Sequence, residues 1–494
     1  MTSWTHGYVA DSPYTFSYQG AQAPGNLALI CGLMGVQWQP TASLAFADIG
    51  CGRGYTVNAL AAANQGWNVI GLDYNPAHIA EATAIAEQAQ LPNASFMEAD
   101  LAAMTDAEID RLPELDVASL HGVWTWVSDE VRAGIVRLLS RRLKPGGLLY
   151  IGYNVLPGFG HDQGLQRLFR MLAAQQSTGS SPMRIEAAVA TVRKLHETRP
   201  ANLPATAMLK RIADGPALDP DYLAHEFLTE HWRPVFFADL CADLGAAKLD
   251  YVGSATLHEN VADFLFTPEQ REIYDSMPDG APREFIKDLC VARSFRRDVF
   301  VRGMRRIDPV GAQDRLRLTA YRKLDGEEVP ALEVPVGKAE LPIEMWRPIA
   351  AALNAGSRTV GELRNLPEGR KPNGSELLVL LMGAGLVLPA LRDPGTTEAS
   401  RRFNEVVAAA YAGFGGQSQF AIASPVTAAG VPASWLELAV SQTPEGRGEV
   451  PADHAALAAR LMPGLDPETL DKVSGFIGDM LTERAPIWRT LGIV

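Results

Sequence analysis

The stretch Leu44-Ala45-Phe46-Ala47-Asp48-Ile49-Gly50-Cys51-Gly52-Arg53-Gly54 constrains the fold more than any other part of the chain. A short apolar run carries an acid near its end, and glycines follow at alternate positions. The next residues, Tyr55-Thr56-Val57-Asn58-Ala59-Leu60-Ala61-Ala62-Ala63, have the alanine content and apolar spacing of a helix. Strand, glycine turn and helix open a nucleotide-binding βαβ unit. Without Cβ atoms, Gly50, Gly52 and Gly54 let the backbone turn sharply and come close to a ligand. The spacing Gly-x-Gly-x-Gly departs from the dinucleotide fingerprint Gly-x-Gly-x-x-Gly, which places a pyrophosphate at a helix N-terminus.

Further segments extend the pattern. Asn68-Val69-Ile70-Gly71-Leu72-Asp73 reads as a second buried strand, ending in a carboxylate about twenty residues past the glycines, where a ribose-binding acid belongs. A third strand, Ala94-Ser95-Phe96-Met97-Glu98-Ala99-Asp100-Leu101, ends in another acid. Leu115-Asp116-Val117-Ala118-Ser119-Leu120-His121 is a fourth. A helix over 129–143 stops at Lys144-Pro145-Gly146-Gly147, and Leu148-Leu149-Tyr150-Ile151-Gly152-Tyr153 is a fifth strand. This ordered set of motifs resembles that of the class I S-adenosylmethionine-dependent methyltransferases. The resemblance implies an α/β, Rossmann-like sheet of seven strands.

Composition narrows the setting. A chain of 494 residues exceeds one average domain, and 47% hydrophobic content supports large buried cores. A net charge of −13 argues against a nucleic-acid partner and is compatible with a basic substrate or with simple solubility. Cys31, Cys51, Cys241 and Cys290 show no paired spacing, so neither a metal site nor a disulfide framework is expected. Reduced thiols suit a cytosol. The start of the chain lacks a signal peptide's basic and apolar regions, and no apolar run is long enough to span a bilayer. A cytoplasmic protein is expected.

Five domains or segments are expected. Residues 1–155 hold an N-terminal cap and the cofactor-binding core. Residues 156–233 form a helical insertion, with helices at 162–175, 182–198 and 204–214 by their punctuation. Insertions at strand carboxyl ends overlie the ligand crevice, so this one is a candidate lid, substrate-recognition surface or dimerisation element. Within it, His225 and Glu226 match no metal motif, and His225 is taken as structural. Residues 234–303 supply the last helix and two strands. Residues 304–393 have the helix-helix-helix-strand order of a winged helix, with Pro348 expected to kink or restart its first helix. Glu376 to Met382 is too apolar for a DNA-reading helix. Residues 394–494 read as helices around an apolar turn at 420–426.

Ser12-Pro13-Tyr14, the 222–227 stretch and Trp232-Arg233-Pro234 are similar to bacterial methyltransferases with a methyltransferase regulatory region, and the layout resembles rickettsial outer-membrane-protein lysine methyltransferases. That resemblance implies an S-adenosylmethionine-dependent enzyme, with lysine side chains of a protein as acceptor and a homodimer as candidate assembly. Asp73 would take the ribose hydroxyls and Asp100, beside Leu101, the adenine amino group. Gly50, Cys51 and Gly52 would lie against the cofactor. Asp48 would order the glycine loop or reach the methionine ammonium. Tyr14 would stack on adenine, face the sulfonium, or pack on the sheet. His121 would accept a proton or touch the cofactor. Trp124, Tyr153 and Asn154 would wall an amine channel, unless Trp124 and Trp126 pack the crossover helix. A small-molecule methyltransferase with accessory domains and a non-catalytic cofactor sensor are the alternatives; the intact loop and acids oppose the second.

Overall fold

The structure is a computed structural model that describes residues 7–494 except 13, 15, 177, 217, 369–370, 394, 396 and 413–418. Residues 1–6 and Pro13, both used above, lie outside the described residues. Seven strands form one sheet: β1 (Ala45–Ile49), β2 (Asn68–Asp73), β3 (Ala94–Glu98), β4 (Leu115–His121), β5 (Leu143–Asn154), β6 (Leu249–Ser254) and β7 (Phe295–Arg302). Their order is β3-β2-β1-β4-β5-β7-β6. Neighbours among β1 to β5 are parallel, and β7 runs antiparallel to β5 and β6. The strand order reverses between β1 and β4, which opens a crevice at their carboxyl ends. Helices cover both faces, so the central strands are apolar almost throughout.

Two strand limits differ from expectation: β3 stops at Glu98, short of Leu101, and β5 starts early. β5 begins at Leu143, ahead of the Lys-Pro-Gly-Gly stop, because Leu143 pairs with Leu115 and an irregularity before Val117 absorbs the turn. β7 begins at Phe295, since Phe295, Arg296 and Arg297 pair with Asn154, Tyr153 and Gly152.

Between β5 and β6 the chain leaves the sheet for the helices Gln163–Ala174, Ser181–Glu197 and Ala207–Asp214. Their apolar faces meet in a core of their own, with Phe169, Ile185, Val192 and Leu209 buried. A fourth helix, Pro220–Phe227, adds Leu223 and Phe227 to that core, and Val9 of the N-terminal segment joins it. Proline at the first helical position and the Asp219 carboxylate, which accepts from Asp221 N–H at 2.9 Å, start this helix.

Beyond β7, the helices Ile343–Asn354, Val360–Arg364 and Gly374–Gly383 precede the strand Val387–Pro389. Pro348 lies inside the first helix, which runs on through it. The 420–426 run is not a turn between helices. It forms a hairpin, Phe420–Ser424 paired with Ala429–Ala433, and every residue from Phe420 to Val431 is buried. The hairpin lies on the helix Tyr55–Ala63, where the Tyr55 hydroxyl donates to Ala421 O at 2.7 Å and accepts from Ala421 N–H at 2.9 Å.

Candidate functional site

A cavity of about 1190 Å³, its open mouth included, sits at the carboxyl ends of β1, β2 and β4. Gly50 and Gly52 form its floor, with Asp73 at the end of β2, Asp100 and Leu101 after β3, His121 at the end of β4, and Val123, Trp126 and Val131 beyond it. Tyr8 and Tyr14 of the N-terminal segment close one side. Tyr222, His225, Glu226 and Thr229, on the Pro220–Phe227 helix and its exit turn, close another.

The glycine loop is held by its own backbone. Gly50 N–H and Cys51 N–H both donate to Leu72 O, at 2.7 and 3.0 Å. Gly50 sits at φ +78°, and a Cβ there would lie 2.3 Å from Val123 Cγ2. At Gly52, φ +53°, a Cβ would project toward the Tyr14 ring at 3.7 Å, into the cavity itself. Asp73 gathers the loop by accepting from Gly52 N–H at 2.8 Å and Asn75 N–H at 2.9 Å, with His78 Nδ1 at 3.2 Å. Asp100 accepts from the amides of Ala102 and Ala103.

The N-terminal segment is clasped to the Pro220–Phe227 helix, hereafter the regulatory helix. Ser12 Oγ donates to Asp221 at 2.6 Å, and His225 Nε2 donates to Ser12 O at 3.2 Å. The His225 ring meets Tyr14 edge-on at 5.0 Å and Tyr8 at 5.5 Å. Beside it, Tyr222 and Glu226 lie one helical turn apart and both line the cavity. Burial, with Asp162 adding to it, raises the Glu226 carboxyl to about 7 against the opposing pull of Tyr222 and Arg211.

Residues 46–147 match the family described as methyltransferase domain, and residues 219–302 the predicted methyltransferase regulatory domain. The protein sll1526 of Synechocystis sp. is 30% identical over 403 residues, covering 79% of this chain and 78% of its own. The chain belongs to the class I S-adenosylmethionine-dependent methyltransferases. A second relative, RP028 of Rickettsia prowazekii, is 26% identical over 221 residues, 44% of this chain and 84% of its own. PKMT2 from Rickettsia typhi, solved in complex with AdoHcy, shares the fold with a TM-score of 0.70 at 16% identity, over 97% of this chain and 100% of that one.

The residues of this methyltransferase fit its cofactor. A loop open where a Cβ at Gly52 would intrude, two carboxylates at strand ends and an aromatic wall suit a nucleoside that carries a sulfonium. Tyr14, Gly50, Gly52, Asp73, Asp100, Leu101 and His121 all line the cavity.

Other expected site residues do not reach it. Asp48 turns away to Gln22, whose Nε2 donates to it at 3.3 Å, and Ser119; burial raises its carboxyl to about 7. Cys51 points its thiol back to Gly52 O at 3.5 Å and toward Gly71. The amine-channel residues are corrected too. Trp124 is fully buried in the core under β4, and Arg132 lies over its ring, which is the packing alternative. Tyr153 points to the opposite face of the sheet, donating to Asp298 at 2.7 Å, because side chains alternate along β5 and Tyr150 and Gly152 take the cavity side. Asn154 is buried behind Thr125, which accepts from its N–H at 3.0 Å.

His121 lines the cavity with Nδ1 2.9 Å from the Tyr150 hydroxyl. Burial, with Arg297 adding to it, lowers this imidazole to about 3. A base so weak holds a proton poorly, which counts against a proton-accepting role. The residues that sequence reasoning passed over are Tyr222, Glu226 and Thr229. Positions 222, 225 and 226 fall on one helical face, and that spacing is the available signal; Thr229 lies past the helix end and has none.

Proposed function

We propose that this methyltransferase N-methylates lysine side chains of a protein. The observation that carries the reading is the cavity wall beyond the glycine loop. It is aromatic, with Tyr8, Tyr14, Trp126 and Tyr222, and it contains a carboxyl group on the regulatory helix. Such a wall suits a long apolar stem ending in a cation. The resemblance to rickettsial lysine methyltransferases and the fold shared with PKMT2 support the same acceptor.

In this reading Asp73 receives the ribose hydroxyls and Asp100 the adenine amino group, while the backbone at Gly50 and Gly52 lies against the rest of the cofactor. S-adenosylmethionine supplies an activated methyl on a sulfonium, so little covalent chemistry falls to the protein. The chain's part is to align the acceptor, exclude water and relieve the amine of its proton. Tyr14, clasped through Ser12 and His225 to the regulatory helix, shuts the cavity on the N-terminal side.

Tritium transfer from labelled S-adenosylmethionine tests the reading, with host protein extract and a small-metabolite fraction as acceptors. Base-stable label recovered as methyllysine is expected. Label confined to the metabolite fraction would replace the protein substrate with a small molecule.

A further inference from the structure

We propose that Glu226 and Thr229 receive the primary ammonium group of the substrate, and that Glu226 takes its proton before methyl transfer. The proposal rests on the lysine reading and assigns the residues that would make it work.

Three observations converge. Tyr222, His225 and Glu226 are spaced i, i+3 and i+4 on one face of the Pro220–Phe227 helix, Thr229 follows just past its end, and all four line the cavity. Of the three carboxylates lining it among the described residues, Asp73 and Asp100 are engaged by backbone amides beside the glycine loop and β3. Glu226 stands apart from them on the Pro220–Phe227 helix, next to Tyr222 on the cavity wall. Finally, Thr229 is 1% exposed, and its Oγ1 has no hydrogen-bond partner among the described residues. A buried hydroxyl left unmet is costly, so a ligand atom in the cavity is its natural partner. The aromatic rings of Tyr8, Tyr14 and Trp126 complete a cation-attracting enclosure.

The proton transfer is simple. One N–H bond of the substrate's ammonium breaks, its electron pair stays on nitrogen, and an O–H bond forms on the Glu226 carboxylate. The neutral amine is then a nucleophile, and Glu226 returns its proton to water after the product leaves. A carboxyl near 7 is ionised at pH 8 yet basic enough to hold the proton briefly. The charged and titratable groups facing it are Asp162, Arg211, Tyr222 and Tyr14, and the cavity adds Tyr8, Tyr74, His225, His121, Asp73 and Asp100.

The test uses the full-length enzyme loaded with S-adenosylhomocysteine and n-butylammonium as probe, titrated calorimetrically at pH 8. Glu226→Gln should weaken the probe at least 10-fold and Thr229→Val about 5-fold, with S-adenosylhomocysteine affinity within twofold of wild type. If Glu226→Gln fails to fold, Thr229→Val carries the binding test. Tritium transfer into host-extract lysines should fall about 100-fold in Glu226→Gln at pH 8. The wild-type rate should level off above about pH 7, whereas the variant's should keep rising to pH 9 with the free amine. Equal probe binding by wild type and both variants overturns the proposal. So does transfer to lysine by Glu226→Gln at the wild-type rate and with the wild-type pH profile, an outcome that leaves the lysine reading standing. Label found only on oxygen or carbon acceptors overturns the lysine reading and this proposal with it.

Discussion

Alanine at Gly50 should uncouple the glycine loop from the segment after β4, and the structure sets the size of the effect. At φ +78° an L-residue pays for left-handed backbone, about 1–2 kcal/mol. The added Cβ would lie 2.3 Å from Val123 Cγ2, more than 1 Å inside the roughly 3.5–4.0 Å separation that carbon atoms prefer. Overpacking of that kind costs a further ~1–3 kcal/mol. Together they amount to about 3 kcal/mol, so Gly50→Ala should bind S-adenosylhomocysteine about 100-fold more weakly by calorimetry. Only the second contribution depends on Val123. Val123→Ala alone should change affinity about threefold, and added to Gly50→Ala it should restore about 10-fold. The double-mutant cycle should therefore give a coupling of about 1–2 kcal/mol. A coupling near zero would refute the steric account. Wild-type affinity in Gly50→Ala would refute the placement of the cofactor against this loop.

Three further outcomes are expected. Asp73→Asn removes a charged acceptor from two loop amides, and hydrogen bonds to charged groups are each worth about 1.5–3 kcal/mol, so S-adenosylhomocysteine affinity should fall about 10–100-fold in calorimetry. Tyr55→Phe leaves both Ala421 N–H and O buried and unmet, which should cost about 2–4 kcal/mol, lower the thermal midpoint and speed amide exchange at Ala421; an unchanged midpoint would count against the hairpin's docking. Asp48 holds its proton to about pH 7 when folded but only to about pH 4 when unfolded, so between those values the folded state binds more protons and stability falls as pH rises. Asp48→Asn should lack that decline, seen as a thermal midpoint that gains on wild type from pH 5 to pH 7.

The sheet and the glycine floor of the cavity are readable because each rests on local rules. A buried parallel strand must be apolar, its end must turn, and a turn that touches a ligand needs glycine, so 44–54 and Asp73 stand out in one dimension. The amine channel failed for an equally physical reason. Tyr153 is one residue from Gly152, which takes the cavity side beside His121, and a period of two sends the tyrosine to the other face. Without the register of β5 against β7, no property of Tyr153 says which face it joins. The hairpin at 420–433 was missed because a strand pair buried on both faces lacks the alternation that marks a strand.

The wall opposite the glycine loop shows where sequence order misleads most. Glu226 lies more than 170 positions beyond Gly52, past a helical insertion with a core of its own, yet both line one cavity. What brings them together is the clasp of Ser12 on Asp221 and of His225 on Ser12, which ties a segment near the start of the chain to the regulatory helix. The insertion helices and Val9 also share one apolar core, so packing as well as the clasp holds the N-terminal segment to the helix. Release of the N-terminal segment from that helix would break the Tyr14–His225 contact. Loss of either Ser12 or Asp221 should consequently loosen substrate closure while leaving the glycine loop and Asp73 in place.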